Sequence, residues 1–239
     1  VDGRPWKPRA FGSTPSSTAG ISWGRSTEAL FGALLALLLF GCATVTQVSE
    51  EGFRLTDREY RQSLAHYTRH QNLYQGLQRR LIWAATLEAP RFREIRSQAY
   101  ASIRRMTQAE LEALLAEEMR TGETFLDFFV GFFTEQLAWN DLEAENSIWR
   151  VDLLIDGASV LRPIEIVRIA DPDPNVRALY PYLGAFSRAY RIRFPRKDEL
   201  GNPLIPPNAG QLTLRVSSAV AHGELSWPVT LLEEEGFSP

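Results

Sequence analysis

His66 and His70, in the stretch HYTRH, stand four residues apart. On a helix that spacing puts both imidazoles on one face, the geometry for two ligands to one metal ion. The Glu that follows the first His in a metallohydrolase helix is absent, and no third ligand stands out, so two histidines on a helix surface is the plainer reading. Asp171 and Asp173 loosely match the start of a calcium loop. Pro172 and Pro174 stiffen that segment, and Val176 and Arg177 stand where such a loop needs ligands and glycine, which favours a rigid turn. A further candidate is Cys42, the only cysteine in 239 residues, placed directly after an apolar run. The sequence has no Gly-rich phosphate loop, no G-x-S-x-G elbow and no HExxH pair, and these motifs give no reason to expect a cofactor.

The run before Cys42, Ala29 to Phe40, reads ALFGALLALLLF, twelve residues without a charge, with Arg25, Arg9, Lys7 and Arg4 upstream. A basic region, a short apolar stretch and small residues near the cut make a secretory signal. A spanning helix needs about 20 apolar residues; extending this run to Val45 gives 17. Leu39-Phe40-Gly41-Cys42 resembles the lipobox of bacterial lipoproteins, although Phe40 is bulkier than the residue usual at its position. The resemblance implies cleavage between Gly41 and Cys42, a diacylglycerol thioether on the Cys42 sulfur and acylation of the new amino terminus. It also implies attachment to a membrane through those acyl chains. Ala43, rather than Asp, after the modified Cys implies the outer membrane, with the body facing the periplasm. An ordinary buried Cys after a core helix and a single-pass anchor are the alternatives.

Composition bounds the rest. The hydrophobic fraction is 44% and the charged fraction 23%, near globular averages, so a buried core is expected. Four of the 26 basic residues and two of the 29 acidic ones precede Cys42, which leaves the remainder at a net charge of −5. That balance offers nothing for nucleic acid to bind. With one Cys there is neither an intrachain disulfide nor a Cys-based zinc site. Residues 1–28, rich in Gly, Pro, Ser and Thr in their first part, read as a disordered leader absent from the mature chain.

Around these residues the sequence predicts an α+β protein. Residues 29–42 are the signal segment and lipobox, 43–55 a polar tether. Thr56-Asp57-Arg58-Glu59 has the form of a capping box. The face Tyr60, Leu64, Tyr67, Tyr74, Leu77, Leu81 and Ala84 carries a helix to about Leu87. Pro90 opens a second helix; Thr107-Gln108-Ala109-Glu110 caps a third, and Gly122 stops it. Residues 56–122 are thus a three-helix segment, packed on or preceding an antiparallel, immunoglobulin-like β-sandwich over 123–230. The sandwich has about six strands, near residues 125–134, 147–156, 160–169, 190–194, 212–216 and 221–229. Asp156-Gly157 predicts a hairpin over 147–169, with Pro163 favouring an edge. One or two helical turns are expected over 175–183, and 231–239 is an acidic tail.

No activity follows from these residues. FLDFFVGFFT, residues 125–134, suits a sandwich core better than a groove for an apolar ligand. Trp139-Asn140-Asp141-Leu142 reads as a loop whose Trp covers the end of the sandwich, with a recognition surface as the alternative. Glu117 and Glu118, and Glu233 to Glu235, read as solvated faces or a tail. The reading is a lipid-anchored envelope protein with an interaction or structural module and an unidentified envelope partner. A periplasmic carrier for an apolar ligand is the alternative, and a metal-assisted hydrolase on His66 and His70 comes third.

Overall fold

The computed structural model describes residues 50–170 and 172–234, with side chains from Arg58 onward. Gly41, Cys42, the apolar run, Asp171 and Glu235 lie outside the described residues. The chain divides into two compact units, Val1–Val48 and Ser49–Pro239, and every described residue belongs to the second.

That unit starts with α1 (Glu50–Tyr67), the hairpin β1 (Thr68–Gln75) and β2 (Gln78–Leu87), then α2 (Pro90–Arg104) and α3 (Gln108–Thr124). The strands β3 (Phe125–Phe133), β4 (Arg150–Ile155), β5 (Ser159–Leu161) and β6 (Glu165–Ile169) follow. A short α4 (Pro174–Leu179) precedes β7 (Arg188–Pro195), β8 (Gln211–Ser217) and β9 (His222–Pro228). The strands form two antiparallel sheets, a five-stranded one in the order β1-β2-β3-β7-β6 and a four-stranded one in the order β5-β4-β8-β9. Among the described residues no helix is long and apolar enough to cross a membrane.

The side-chain alternation of β3 explains the layering. Its even-numbered residues face the second sheet: Phe128 lies 5.2 Å from Trp227, and Phe132 lies 5.1 Å from Trp149, between ring centroids. Its odd-numbered residues face the helical side: Asp127 pairs with Arg93 of α2, and Phe129 stacks on Tyr180 beyond α4. Both faces are therefore buried, so β3 and the second half of β2 read as nearly continuous apolar runs. Burying a Phe or Leu side chain of this kind contributes about 1.5–3 kcal/mol.

The two sheets also meet at a seam between β1 and β9. Arg69 Nε donates to the Ser226 carbonyl at 3.1 Å, and Gln71 Oε1 accepts from the Glu224 amide at 3.1 Å. Trp227 Nε1 donates to the Tyr67 carbonyl at 2.7 Å. Gly223 sits where a Cβ would lie 2.9 Å from both Gln71 Oε1 and Trp83 Nε1.

Several expectations from sequence are corrected. Residues 68–87 do not continue the first helix but form the β1–β2 hairpin, so there is no three-helix segment over 56–122. Gln75 pairs with Gln78 across the two-residue loop Gly76-Leu77, and Gly76 adopts φ 60, which glycine reaches without steric cost. The run LIWAATL then packs on both faces, which a strand between two layers requires. Because β1 and β2 join β3 in one sheet, helices and strands interleave along the chain.

α1 begins at Glu50, so residues 50–55 are helix rather than tether, and Thr56 stands inside the helix instead of capping it. Gly122 lies within α3, which runs on to Thr124. Its missing side chain makes room for Arg93, whose Cδ and Nε would lie 3.3 Å from a Cβ there. The hairpin at Asp156-Gly157, with both residues at positive φ, joins only β4 and β5. After Pro163 the chain crosses to the other sheet, where β6 pairs with β7. Nine strands result among the described residues, against about six expected.

The Thr107–Glu110 capping box, Pro90 at the start of α2, and the strands at 125–133, 188–195, 211–217 and 222–228 match the reading from sequence.

Candidate functional site

The helical face of the five-stranded sheet carries a row of charges. Arg193 on β7 stands directly opposite Asp127 on β3, and Glu88 follows β2, its amide donating to the Asp127 carbonyl at 2.9 Å. Over this row α2 lays Arg93 and Arg96, and α3 adds Glu118. These groups line a pocket of about 550 Å³, walled on the apolar side by Tyr100, Leu114, Phe129 and Tyr180.

The charges are joined into one network. Arg93 donates to Glu118 Oε2 at 2.8 Å and Asp127 Oδ2 at 2.9 Å, while its Nε reaches the Glu88 carbonyl at 2.9 Å. Arg96 spans Glu88 at 2.9 Å and Glu118 at 2.6 Å. Arg193 grips Asp127 with two donors, at 2.7 and 2.9 Å, and its guanidinium lies over the Phe125 ring. Tyr180 donates its hydroxyl proton to Glu88 Oε1 at 2.6 Å. The Tyr60 hydroxyl donates to the Leu179 carbonyl at 2.8 Å and so anchors the end of α4.

This geometry fixes protonation. Burial opposes ionising Asp127, but hydrogen bonds from Arg193 and Arg93, with their charges, hold its pKa below the ordinary value. Glu118 is held down in the same way by Arg96 and Arg93, against its own burial. Burial, then the Glu88 charge, pushes Tyr180 well up, so it remains a donor. Burial works against the charge on Arg96, yet Glu88, Tyr180 and Glu118 together raise its pKa. These shifts keep Asp127, Glu118 and Arg96 charged and Tyr180 protonated and neutral. The arrangement is built to hold charge and polarise a bound group, and it offers a pocket in the size range of small-ligand sites.

The residues singled out from sequence are placed elsewhere or serve the fold. α1 ends at Tyr67, so His66 is in its last turn and His70 on β1, and they share no helix face. His66 Nε2 instead meets Glu234 Oε1 at 3.1 Å, and Tyr67 donates to the other oxygen of the same carboxylate. Glu234 is thus docked, Leu231 and Leu232 are core residues, and the acidic tail is corrected to that extent. Asp173 caps α4 by accepting from the Val176 amide at 2.9 Å. Glu118, read as solvated, is a member of the network, whereas Glu117 pairs with Arg120 at the surface. The Trp139 carbonyl accepts from Trp149 Nε1 at 2.8 Å, and the buried Asn140 accepts from the Thr134 amide at 2.7 Å.

Sequence reasoning missed the network. A signal was present: Asp127 is one carboxylate inside FLDFFVGFF, and a charge within a strand buried on both faces demands a partner.

Compared with known proteins, the chain matches no family model, no curated protein and no solved structure.

Proposed function

We propose that this chain is a lipid-anchored cell-envelope protein, held through acyl chains on Cys42, whose sandwich-type body is a binding or interaction module. One observation carries the reading: the lipobox-like Leu39-Phe40-Gly41-Cys42 lies just ahead of a compact unit that begins at Ser49. Seven residues separate Cys42 from the start of α1 at Glu50. Fully extended they reach at most ~25 Å, so acylation at Cys42 would keep the body close to the membrane surface. Three acyl chains on one residue exceed the two signals that stable anchoring takes. Ala43 favours the outer membrane, with the body in the periplasm.

Intact-mass measurement of the chain from its native host tests this. A mature chain that starts at Cys42 and carries added acyl mass is the expected result, and Cys42→Ser should retain the signal segment because serine cannot accept the thioether. An unmodified Cys42 still preceded by residues 25–41 would end the lipoprotein reading.

The pocket favours a second reading, a carrier for a ligand with an apolar part. Tyr100, Leu114, Ile169, Val176 and Leu179 supply apolar wall beside the charged network. The Phe-rich strand supplies only one residue of that wall: Phe128 and Phe132 are fully buried against the second sheet, and Phe129 alone of β3's phenylalanines reaches the pocket. Organic extraction of the purified chain followed by mass spectrometry would reveal such a ligand. A clean extract from protein taken directly from native membranes would count against it.

A further inference from the structure

A second, smaller cleft lies where β6, the end of α4 and the start of β7 meet. Its volume is about 220 Å³, and Arg168, Arg177 and Arg188 line it together with Ser187, Phe186 and Leu137. In the pocket described above four arginines face four carboxylates; here, among the described residues, the lining has three arginines and no carboxylate. Glu143 stands 3.8 Å from Arg168 as a partly exposed counter-charge outside the lining. Arg177 makes a long 3.4 Å contact with the Leu183 carbonyl, and Arg188 donates to the Asn140 carbonyl. A guanidinium carries five N–H donors, so each of the three retains donors beyond these contacts.

We propose that this cleft binds a phosphoryl group. Three guanidiniums around so small a space repel one another, and an anion between them removes that cost. Planar, forked donors match the oxygens of a phosphate better than a point charge does, and a dianion offsets more of the repulsion than a single carboxylate. The space lies below the roughly 300 Å³ at which drug-sized ligand sites begin, so it admits a head group and no more. At its rim Phe186 is 72% exposed and Leu137 53% exposed, apolar surface that an acyl stem attached to the phosphate would cover. Free phosphate and the phosphate of a lipid head group share this chemistry.

Calorimetric titration of the full chain in dodecyl maltoside tests the assignment, with inorganic phosphate and short-chain phosphatidic acid as probes. Arg168→Gln and Arg177→Gln are the informative variants, because the contacts each would lose are long ones and their melting temperatures should match the parent. Each should raise the Kd for phosphate by about tenfold, the worth of one charge-assisted hydrogen bond, and added salt should weaken binding further. Tighter binding of phosphatidic acid than of phosphate, reversed by Phe186→Ser, identifies a lipid head group. Equal binding of the two identifies free phosphate. No binding of either probe, or binding that both arginine variants leave unchanged, overturns the proposal.

Discussion

Arg93 on α2 and Asp127 on β3 form an ion pair at 2.9 Å in which each side chain is only 3% exposed. Asp127 is also the carboxylate that Arg193 grips from β7, so one residue ties a helix and a neighbouring strand to the middle of the sheet. Removing it leaves the deeply buried Arg93 with Glu118 as its remaining carboxylate and Arg193 with only the longer contact to Glu165. Asp127→Ala is expected to lower unfolding stability by about 3–5 kcal/mol, as breaking a buried pair does. Glu165, 42% exposed and 3.6 Å from Arg193, is the comparison. Glu165→Ala should cost at most about 1 kcal/mol, the range of exposed pairs. Urea denaturation of the two variants gives the contrast directly.

The same carboxylates set an acid limit. The pKa values of Asp127 and Glu118 are held below their ordinary values of 3.8 and 4.5 in the folded chain. Groups depressed by folding contribute stability that is fully present above those ordinary values and is lost as pH falls through the folded ones. Denaturation midpoints should therefore stay flat from neutrality to about pH 5 and fall steeply below pH 4. In Asp127→Asn the starting stability should be lower and the acid slope shallower. An unchanged slope in that variant would place the acid sensitivity elsewhere.

Gly223→Ala reads the packing at the seam. The added Cβ would lie 2.9 Å from Trp83 Nε1, and Trp83 is fully buried with its indole bonded to Gln71. With no free side-chain end to yield, the substitution should cost about 1–3 kcal/mol, as overpacking does. A changed tryptophan emission maximum should accompany the loss.

The Glu234 carboxylate, by contrast, acts locally. It closes the end of α1 through His66 and Tyr67, 168 and 167 residues away in sequence. Glu234→Ala should speed amide hydrogen exchange in the last turn of α1 while exchange in β3 and β7 stays slow. Uniform acceleration throughout the body would show that this contact belongs to the global unfolding unit.

Much of the fold was legible wherever one local signal acted alone. Thr107 and Glu110 announced α3 because a capping box is complete within four residues. The strict alternation of Tyr190-Arg191-Ile192-Arg193 marked β7, although the partners of those arginines, Glu165 on β6 for Arg191 and Asp127 on β3 for Arg193, are not local. The hairpin β1–β2 was misread because Tyr67, Tyr74, Leu77, Leu81 and Ala84 happen to fit a helical period. In the structure Tyr74 and Leu77 are exposed, while Leu81 and Ala84 are buried in a strand with layers on both faces. Gly76, in Gln75-Gly76-Leu77-Gln78, was the missed punctuation. The charged site was not legible for a related reason. Glu88, Arg93, Glu118, Asp127 and Arg193 come from four elements and the loop after β2, and only the sheet register and the α2–α3 packing bring them together.

The seam between β1 and β9 has a consequence for how copies of this protein behave beside one another. An open sheet edge is a template for strand addition, and crowding on a surface multiplies the encounters. On β9 the outward Glu224 amide and Ser226 carbonyl are already taken by Gln71 and Arg69. At the far side of the same sheet β5 is only three residues long, and β6 carries Glu165 and Arg168 along the outer edge of the other. Long, unpaired edges of the kind that seed polymerisation are thereby blunted, and a dense population of these bodies is expected to stay dispersed.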